Sequence, residues 1–215
     1  MVNWQDIDTV LLDMDGTLLD LHYDNYFWLS YLPERYADIH GISLSQAKKI
    51  VANHSHDTKG TLDWYCLDYW SQVLDLDIVI LKEEIKHKVQ ERPHVKNFLN
   101  FLMTNNKQVA LVTNAHPKTL ALKLPLTSIG DKFDNIVSSH QFREPKESQV
   151  FWQMLHKHLN FDPERTLFID DTVQILKAAK GFGIKYIMAI HQPDSRTQRI
   201  VDDMPAFYHF DEIMM

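Results

Sequence analysis

The clearest pattern in the chain is a set of short apolar runs that each end in polar residues. The first, Val10-Leu11-Leu12, runs into Asp13-Met14-Asp15-Gly16-Thr17. A continuous apolar run of this kind reads as a strand buried on both faces, as in a parallel sheet. Similar runs recur at Val109–Val112, Ile136–Val137, Thr166–Ile169 and Lys185–Ile190, ending respectively at Thr113-Asn114, Ser138-Ser139, Asp170-Asp171 and near His191. Between them the apolar positions take helical spacing: Val95, Phe98, Leu99, Leu102; a segment opened by Pro117; Phe151, Met154, Leu155, Leu159; and a helix after Thr172 that stops near Gly181 or Gly183. Thr172 is the expected cap of that last helix. The tail is weakly patterned, though Phe207, Phe210 and Ile213 could pack.

Residues 21–91 differ. They show no strand alternation, are rich in aromatics and read as helices. Asp24 could cap a helix ending at Pro33, and Ser43 with Gln46 fits a capping box. A helix from Leu62 through Leu74 shows two apolar faces. Ile78–Val89 reads as another, with Lys82, Glu83, Lys86 and Lys88 as its solvated charges. One strand, a helical insertion, then alternating helix and strand predict an α/β fold. Its core would be a Rossmann-like, doubly wound parallel sheet, residues 1–20 and 92–215, with a helical cap, residues 21–91, inserted after the first strand.

Composition narrows the function classes. The 215 residues are 45% hydrophobic and 24% charged, with a net charge of −7, which disfavours nucleic acid or an anionic membrane as partner. No apolar run is long enough to span a bilayer and the first residues do not read as a signal peptide. With Cys66 as the single cysteine, no intramolecular disulfide forms; a cytoplasmic location is expected. His54 and His56 are too poorly spaced to argue for a metal site.

Asp13 and Asp15 carry the chemistry. Residues two apart in an extended chain point the same way, so both carboxylates reach one volume where a strand ends and a loop opens. Two acids in one pocket repel, and a hard divalent cation such as Mg²⁺ removes that conflict. Such a pair suits phosphoryl transfer. Alone, Asp before Gly would be ordinary turn chemistry, Thr113-Asn114 a turn, Lys146 a solvated lysine and Asp170-Asp171 a cap region. Their joint order is what lifts them.

With these elements in that order, the chain resembles the haloacid dehalogenase superfamily of aspartate-nucleophile phosphohydrolases. Within it, the segments DTVLLDMDGTLLDL, DNYFW, WYCLDYW, TNAHP and RTLFIDD resemble bacterial GMP/IMP nucleotidases. The resemblance implies Asp13 as nucleophile and Asp15 as general acid and base. It implies Mg²⁺ on the Asp13 carboxylate, the Asp15 backbone carbonyl and Asp170, with Asp171 acting through water. Thr113, the Asn114 backbone N–H and Lys146 would hold the phosphate. The acid at Asp15 favours phosphoryl chemistry over dehalogenation. The implied substrate is a small phosphorylated metabolite, a purine nucleoside monophosphate. Tyr23, Tyr26, Phe27, Trp28, Trp64, Tyr65, Tyr69 and Trp70 are the aromatics able to stack on a base, with Trp64 and Trp70 foremost. A sugar-phosphate phosphatase or phosphomutase is the enzymatic alternative; a phospho-Asp receiver or a silent binding module is the alternative of another class.

Overall fold

A computed structural model describes residues 2–214. Six strands form one parallel sheet: β1 (Thr9–Leu12), β2 (Gln108–Thr113), β3 (Asn135–Ser138), β4 (Thr166–Asp170), β5 (Tyr186–Ile190) and β6 (Ala206–Phe207). Their order is β3-β2-β1-β4-β5-β6. The chain winds outward from β1 through β2 to β3, then returns to lay β4 on the other side of β1. That reversal opens a crevice beyond the carboxyl ends of β2, β1 and β4.

Alternation explains why the apolar runs are continuous. Val10 and Leu12, with Val109, Leu111, Leu167 and Ile169, face one core, which Phe98 and Leu102 of α7 (Val95–Thr104) and Phe210 complete. Leu11, Ala110, Val112 and Phe168 face the other, against Trp152 and Leu155 of α9 (Gln149–Leu159) and Leu176 of α10 (Val173–Phe182). Each central strand is therefore buried on both faces. The tail also packs: Phe207 is in β6, and Phe210 and Ile213 lie in a closing 3₁₀ turn, all buried.

Between β1 and α7 the chain is helical: α1 (His22–Tyr26), α2 (Leu32–His40), α3 (Leu44–Thr58), α4 (Leu62–Tyr65), α5 (Leu67–Leu74) and α6 (Ile78–Glu84). These helices share their own apolar cluster, centred on Tyr23, Phe27, Trp70 and Leu81. The segment leaves and returns side by side: Asp20 donates its N–H to Gln90, and Leu19 bridges Glu91. Buried Arg92 locks the return point, donating to the carbonyls of Gln192, Pro193 and Tyr208.

Several local expectations give way to packing. Asp24 lies within the first turn of α1 and is no cap; Asp20 instead accepts from the His22 N–H at 2.9 Å. The helix does not end at Pro33 but passes it through a π-helical turn, Phe27–Tyr31, which absorbs the hydrogen bond that proline cannot donate. The Ser43–Gln46 capping box is present. Leu62–Leu74 is two helices rather than one, because Cys66 is extended. Ile78–Val89 stops at Glu84 and continues only as a 3₁₀ turn, Lys86–Lys88. Thr172 occupies the N-cap of α10 but makes no side-chain cap bond; its hydroxyl lies 3.2 Å from the Asp171 carboxylate. Among the described residues no helix is long and apolar enough to cross a membrane.

Candidate active site

The polar residues that end β1, β2 and β4 meet at one end of the sheet. Asp13 leaves β1 with its N–H bonded to the Ile169 carbonyl, so its carboxylate is set beside the end of β4. Lys146, from the loop between β3 and α9, reaches underneath. Its Nζ donates to Asp13 Oδ1 at 2.6 Å, Asp170 Oδ2 at 2.7 Å and the Val112 carbonyl at 3.0 Å. The loop is held by Asn114, whose Oδ1 accepts from the Lys146 N–H, and by Trp152, whose indole N–H donates to the Lys146 carbonyl. Asp13, Asp170 and Asp171 each present a carboxylate oxygen within 4.8 Å of the others.

Electrostatics follow from this crowding. Burial pushes Asp13 up to about 7, opposed by Lys146 and aided by Asp170. Burial likewise raises Asp170 to about 6 and Asp171 to about 7. Burial would strip Lys146 of its proton, but Asp13 and Asp170 outweigh it and hold the ammonium well above the ordinary lysine range. Three oxygen ligands whose charged forms conflict make a donor set suited to a hard divalent cation.

Asp15 shares the cavity with Asp13, as the sequence led one to expect, and helps raise its pKa, but it has its own partner. Its carboxylate stands outside that cluster and accepts from Lys123 Nζ at 2.6 Å. Lys123, the last residue of α8 (Pro117–Lys123), also donates to Asp24 Oδ2 at 2.6 Å, and Asp24 Oδ1 accepts from Lys82 Nζ at 2.9 Å. Burial raises Asp24, but Lys123 and Lys82 together bring it down to about 2. Lys82 is thus not a solvated charge: it is 1% exposed and lies 4.5 Å from the centre of the Phe27 ring. Burial lowers its pKa. Nothing in the spacing of Lys82, Asp24 or Lys123 marks them; only folding reveals the chain of charges that joins α6, α1 and α8 to Asp15.

The turn at Gly16 permits close approach. Its φ is +87°, and a Cβ built there would lie 2.7 Å from Asp171 Cγ, so any side chain would displace the acid. On the β2 side, the buried Thr113 hydroxyl accepts from the Ala115 N–H at 3.0 Å. Glu147, unmarked by the sequence pattern, joins Asn114 to the helical segment: it accepts from Asn114 Nδ2 at 3.0 Å and from the Tyr65 hydroxyl at 2.8 Å.

A cavity of about 470 Å³ opens over these groups, walled on the helical side by Trp28, Trp64 and Tyr65. Trp70 is absent from that wall. It is 1% exposed, packs on Trp28, and donates its indole N–H to the Trp64 carbonyl. Tyr23 and Phe27 are likewise core residues. The expectation that Trp70 could stack on a base is therefore corrected: its amphipathic position on α5 turns inward.

The family model of the haloacid dehalogenase-like hydrolases matches residues 10–189. The chain belongs to that family and is an enzyme. Among its relatives, the GMP/IMP nucleotidase YrfG of Escherichia coli K12 is 45% identical over 194 residues, spanning 90% of this chain and 87% of that protein. A phosphorylated carbohydrates phosphatase of Thermotoga maritima is 22% identical over 193 residues, 86% of this chain and 85% of its own. In structure, a HAD phosphatase from Thermococcus onnurineus superposes with a TM-score of 0.80 over 96% of both chains at 23% identity, a likeness of fold.

Proposed function

We propose that the protein is a Mg²⁺-dependent phosphatase of purine 5′-monophosphates such as GMP and IMP. In this reading residues 21–91 act as a cap over a core of residues 1–20 and 92–215. The observation that carries the reading is the buried bridge of Lys146 between Asp13 and Asp170, with Asp171 alongside and a nucleotide-sized cavity above. The resemblance to the GMP/IMP nucleotidase supports the substrate, and the aromatic wall supports a planar base.

Mg²⁺ would be held by the carboxylates of Asp13 and Asp170 and the backbone carbonyl of Asp15, with Asp171 behind; it would screen the acids from the phosphate dianion. Asp13 attacks phosphorus in line, the bond to the ester oxygen breaks, and an aspartyl-phosphate forms. Asp15 gives its proton to the leaving alkoxide. It then takes a proton from the water that attacks phosphorus, and phosphate and free Asp13 are released. Lys146 stays positively charged beside Asp13 and balances the charge building on the phosphoryl oxygens. The Thr113 hydroxyl and the Asn114 N–H hold those oxygens. Lys123 orients the Asp15 carboxylate toward the leaving group, and Trp28, Trp64 and Tyr65 cover the base.

The test is a steady-state comparison of IMP, GMP, pyrimidine nucleotides and hexose phosphates. The purine nucleotides are expected to show the highest kcat/KM. Hexose phosphates outrunning every nucleotide would overturn the substrate assignment while leaving the phosphatase chemistry intact.

A further inference from the structure

A second group of residues with metal-ligating side chains lies outside the cavity over the carboxylates. Cys66, His116 and His140 each present a ligand atom, one thiol sulfur and two ring nitrogens, all within 4.8 Å of one another. None of the three lines the cavity over the carboxylates. They come from three places in the fold. Cys66 is the extended residue between α4 and α5, His116 caps α8 in the loop after β2, and His140 lies in the 3₁₀ turn Ser139–Gln141 after β3.

The two imidazoles meet edge to face, with centroids 4.8 Å apart and planes at 83°. Nε2 of His140 is buried and has no hydrogen-bond partner. Leaving such an atom unpaired is costly, and structures rarely keep one without a reason. Burial lowers the His140 pKa to about 4, with His116 adding to the effect and the Asn114 backbone opposing it. Burial also lowers His116, against the pull of Asp68. His140 Nε2 is the atom free to take a ligand, whereas His116 Nδ1 accepts from the Lys118 N–H at 3.3 Å, a long bond that metal binding would replace. Asp68 Oδ2 lies 3.7 Å from His116 Nε2, and its other oxygen accepts from Lys118 Nζ at 2.6 Å. The Cys66 backbone is fixed at both its polar groups: its N–H donates to the Asp63 carbonyl at 3.1 Å and its carbonyl accepts from the Trp70 N–H at 3.2 Å.

We propose that Cys66, His116 and His140 form a zinc site, with water or the Asp68 carboxylate in the fourth position, that ties the α4–α5 junction to the loops after β2 and β3. One thiolate and two imidazoles match the ligand types and four-coordinate preference of Zn²⁺. Mg²⁺, which demands oxygen ligands, is rejected here and accepted by the carboxylates. Binding converts the Cys66 thiol to a thiolate and releases its proton to solvent.

Co²⁺ is the probe, added to the full-length protein in excess Mg²⁺ so that the carboxylate cluster is filled. Cys66 is the chain's single cysteine, so a thiolate-to-cobalt charge-transfer band reports on it alone. Expected is a stoichiometric band with tetrahedral d–d absorption, bleached by one equivalent of Zn²⁺ and absent in Cys66→Ser. His140→Gln and His116→Gln should each weaken Co²⁺ binding by about ten-fold or more. In a parallel measurement on the unaltered chain, one equivalent of Zn²⁺ should slow alkylation of Cys66 by about ten-fold or more. No thiolate band in the wild type, a band that survives both histidine substitutions, or an alkylation rate indifferent to Zn²⁺ overturns the proposal. The wild-type arms decide the matter even if a variant fails to fold.

Discussion

At the scale of single residues, the site divides its acids by their neighbours. Asp13 and Asp170 share Lys146, whereas Asp15, in the same cavity, pairs with Lys123. Asp13→Asn should abolish turnover, since an amide cannot attack phosphorus to form the aspartyl-phosphate; a near wild-type rate in single-turnover assays would reassign the nucleophile. Asp15→Asn should keep the backbone carbonyl for the metal but lose proton transfer, lowering kcat by about 10²–10⁴-fold. That loss should shrink for substrates whose leaving group needs no proton, such as an aryl phosphate with an acidic phenol. An equal loss on both esters would argue against an acid–base role. Lys123 was not visible as a site residue because a lysine in a short helix is usually solvated. Its burial depends on Asp24, nearly a hundred positions away in the chain.

At the scale of elements, the helical segment holds a charge chain and an aromatic wall that do different work. Asp24 bridges Lys82 and Lys123, and with Asp15 it balances the two ammonium groups; the lysines and Asp24 are buried or nearly so. Asp24→Asn should therefore destabilise the fold by about 3–5 kcal/mol, because buried Lys82 loses its ion-pair partner while Lys123 keeps Asp15; denaturant midpoints measure this directly. The two tryptophans should separate cleanly. Trp64→Ala should cost about 1–3 kcal/mol in purine nucleotide binding, with less effect on a small aryl phosphate. Trp70→Ala should leave KM near its original value in the folded fraction but lower stability by about 3–5 kcal/mol, as for other large core aromatics. Urea titrations with KM measured on IMP distinguish the two outcomes. The sequence grouped both residues as stacking candidates because one apolar helix face looks like another. The break at Cys66, which reorients α5 relative to α4, has no signature in the pattern.

At the scale of the whole molecule, the acid cluster links stability to pH and metal. Asp13, Asp170 and Asp171 have folded pKa values of about 7, about 6 and about 7, above the ordinary value of 3.8. The folded state therefore binds protons more tightly than the unfolded chain. For acids raised in this way the contribution to stability is present below pH 4 and is lost as pH rises towards 7. In excess chelator, Tm should fall more steeply across that window for wild type than for Asp171→Asn. Mg²⁺ should raise Tm more at pH 8 than at pH 5, because the carboxylates bind it only when deprotonated. A Mg²⁺ effect that is equal at both pH values would place the ion elsewhere. Activity should vanish in chelator and return with Mg²⁺.

What the sequence by itself determined was the sheet and the order of the chemistry. Central parallel strands must be apolar on both faces, so Val10–Leu12, Val109–Val112 and Thr166–Ile169 announce themselves. The residues that follow them must lie at the carboxyl ends of neighbouring strands. This is why Asp13, Thr113 and Asp170 could be read as one group, and why Lys146 gained meaning from its place among them. Tertiary structure alone decided how the side chains pair. A charge looks the same in sequence whether solvated or buried, so Lys82, Lys123 and Glu147 gave no signal until their partners arrived from distant segments. The same holds for Cys66, His116 and His140, which share no local spacing and meet only because β2 and β3 are neighbours and α4 breaks from α5 against them. Periodicity reports which face of an element is buried; it carries no record of what lies across that face, and the pairing of charges and ligands is a property of the far side.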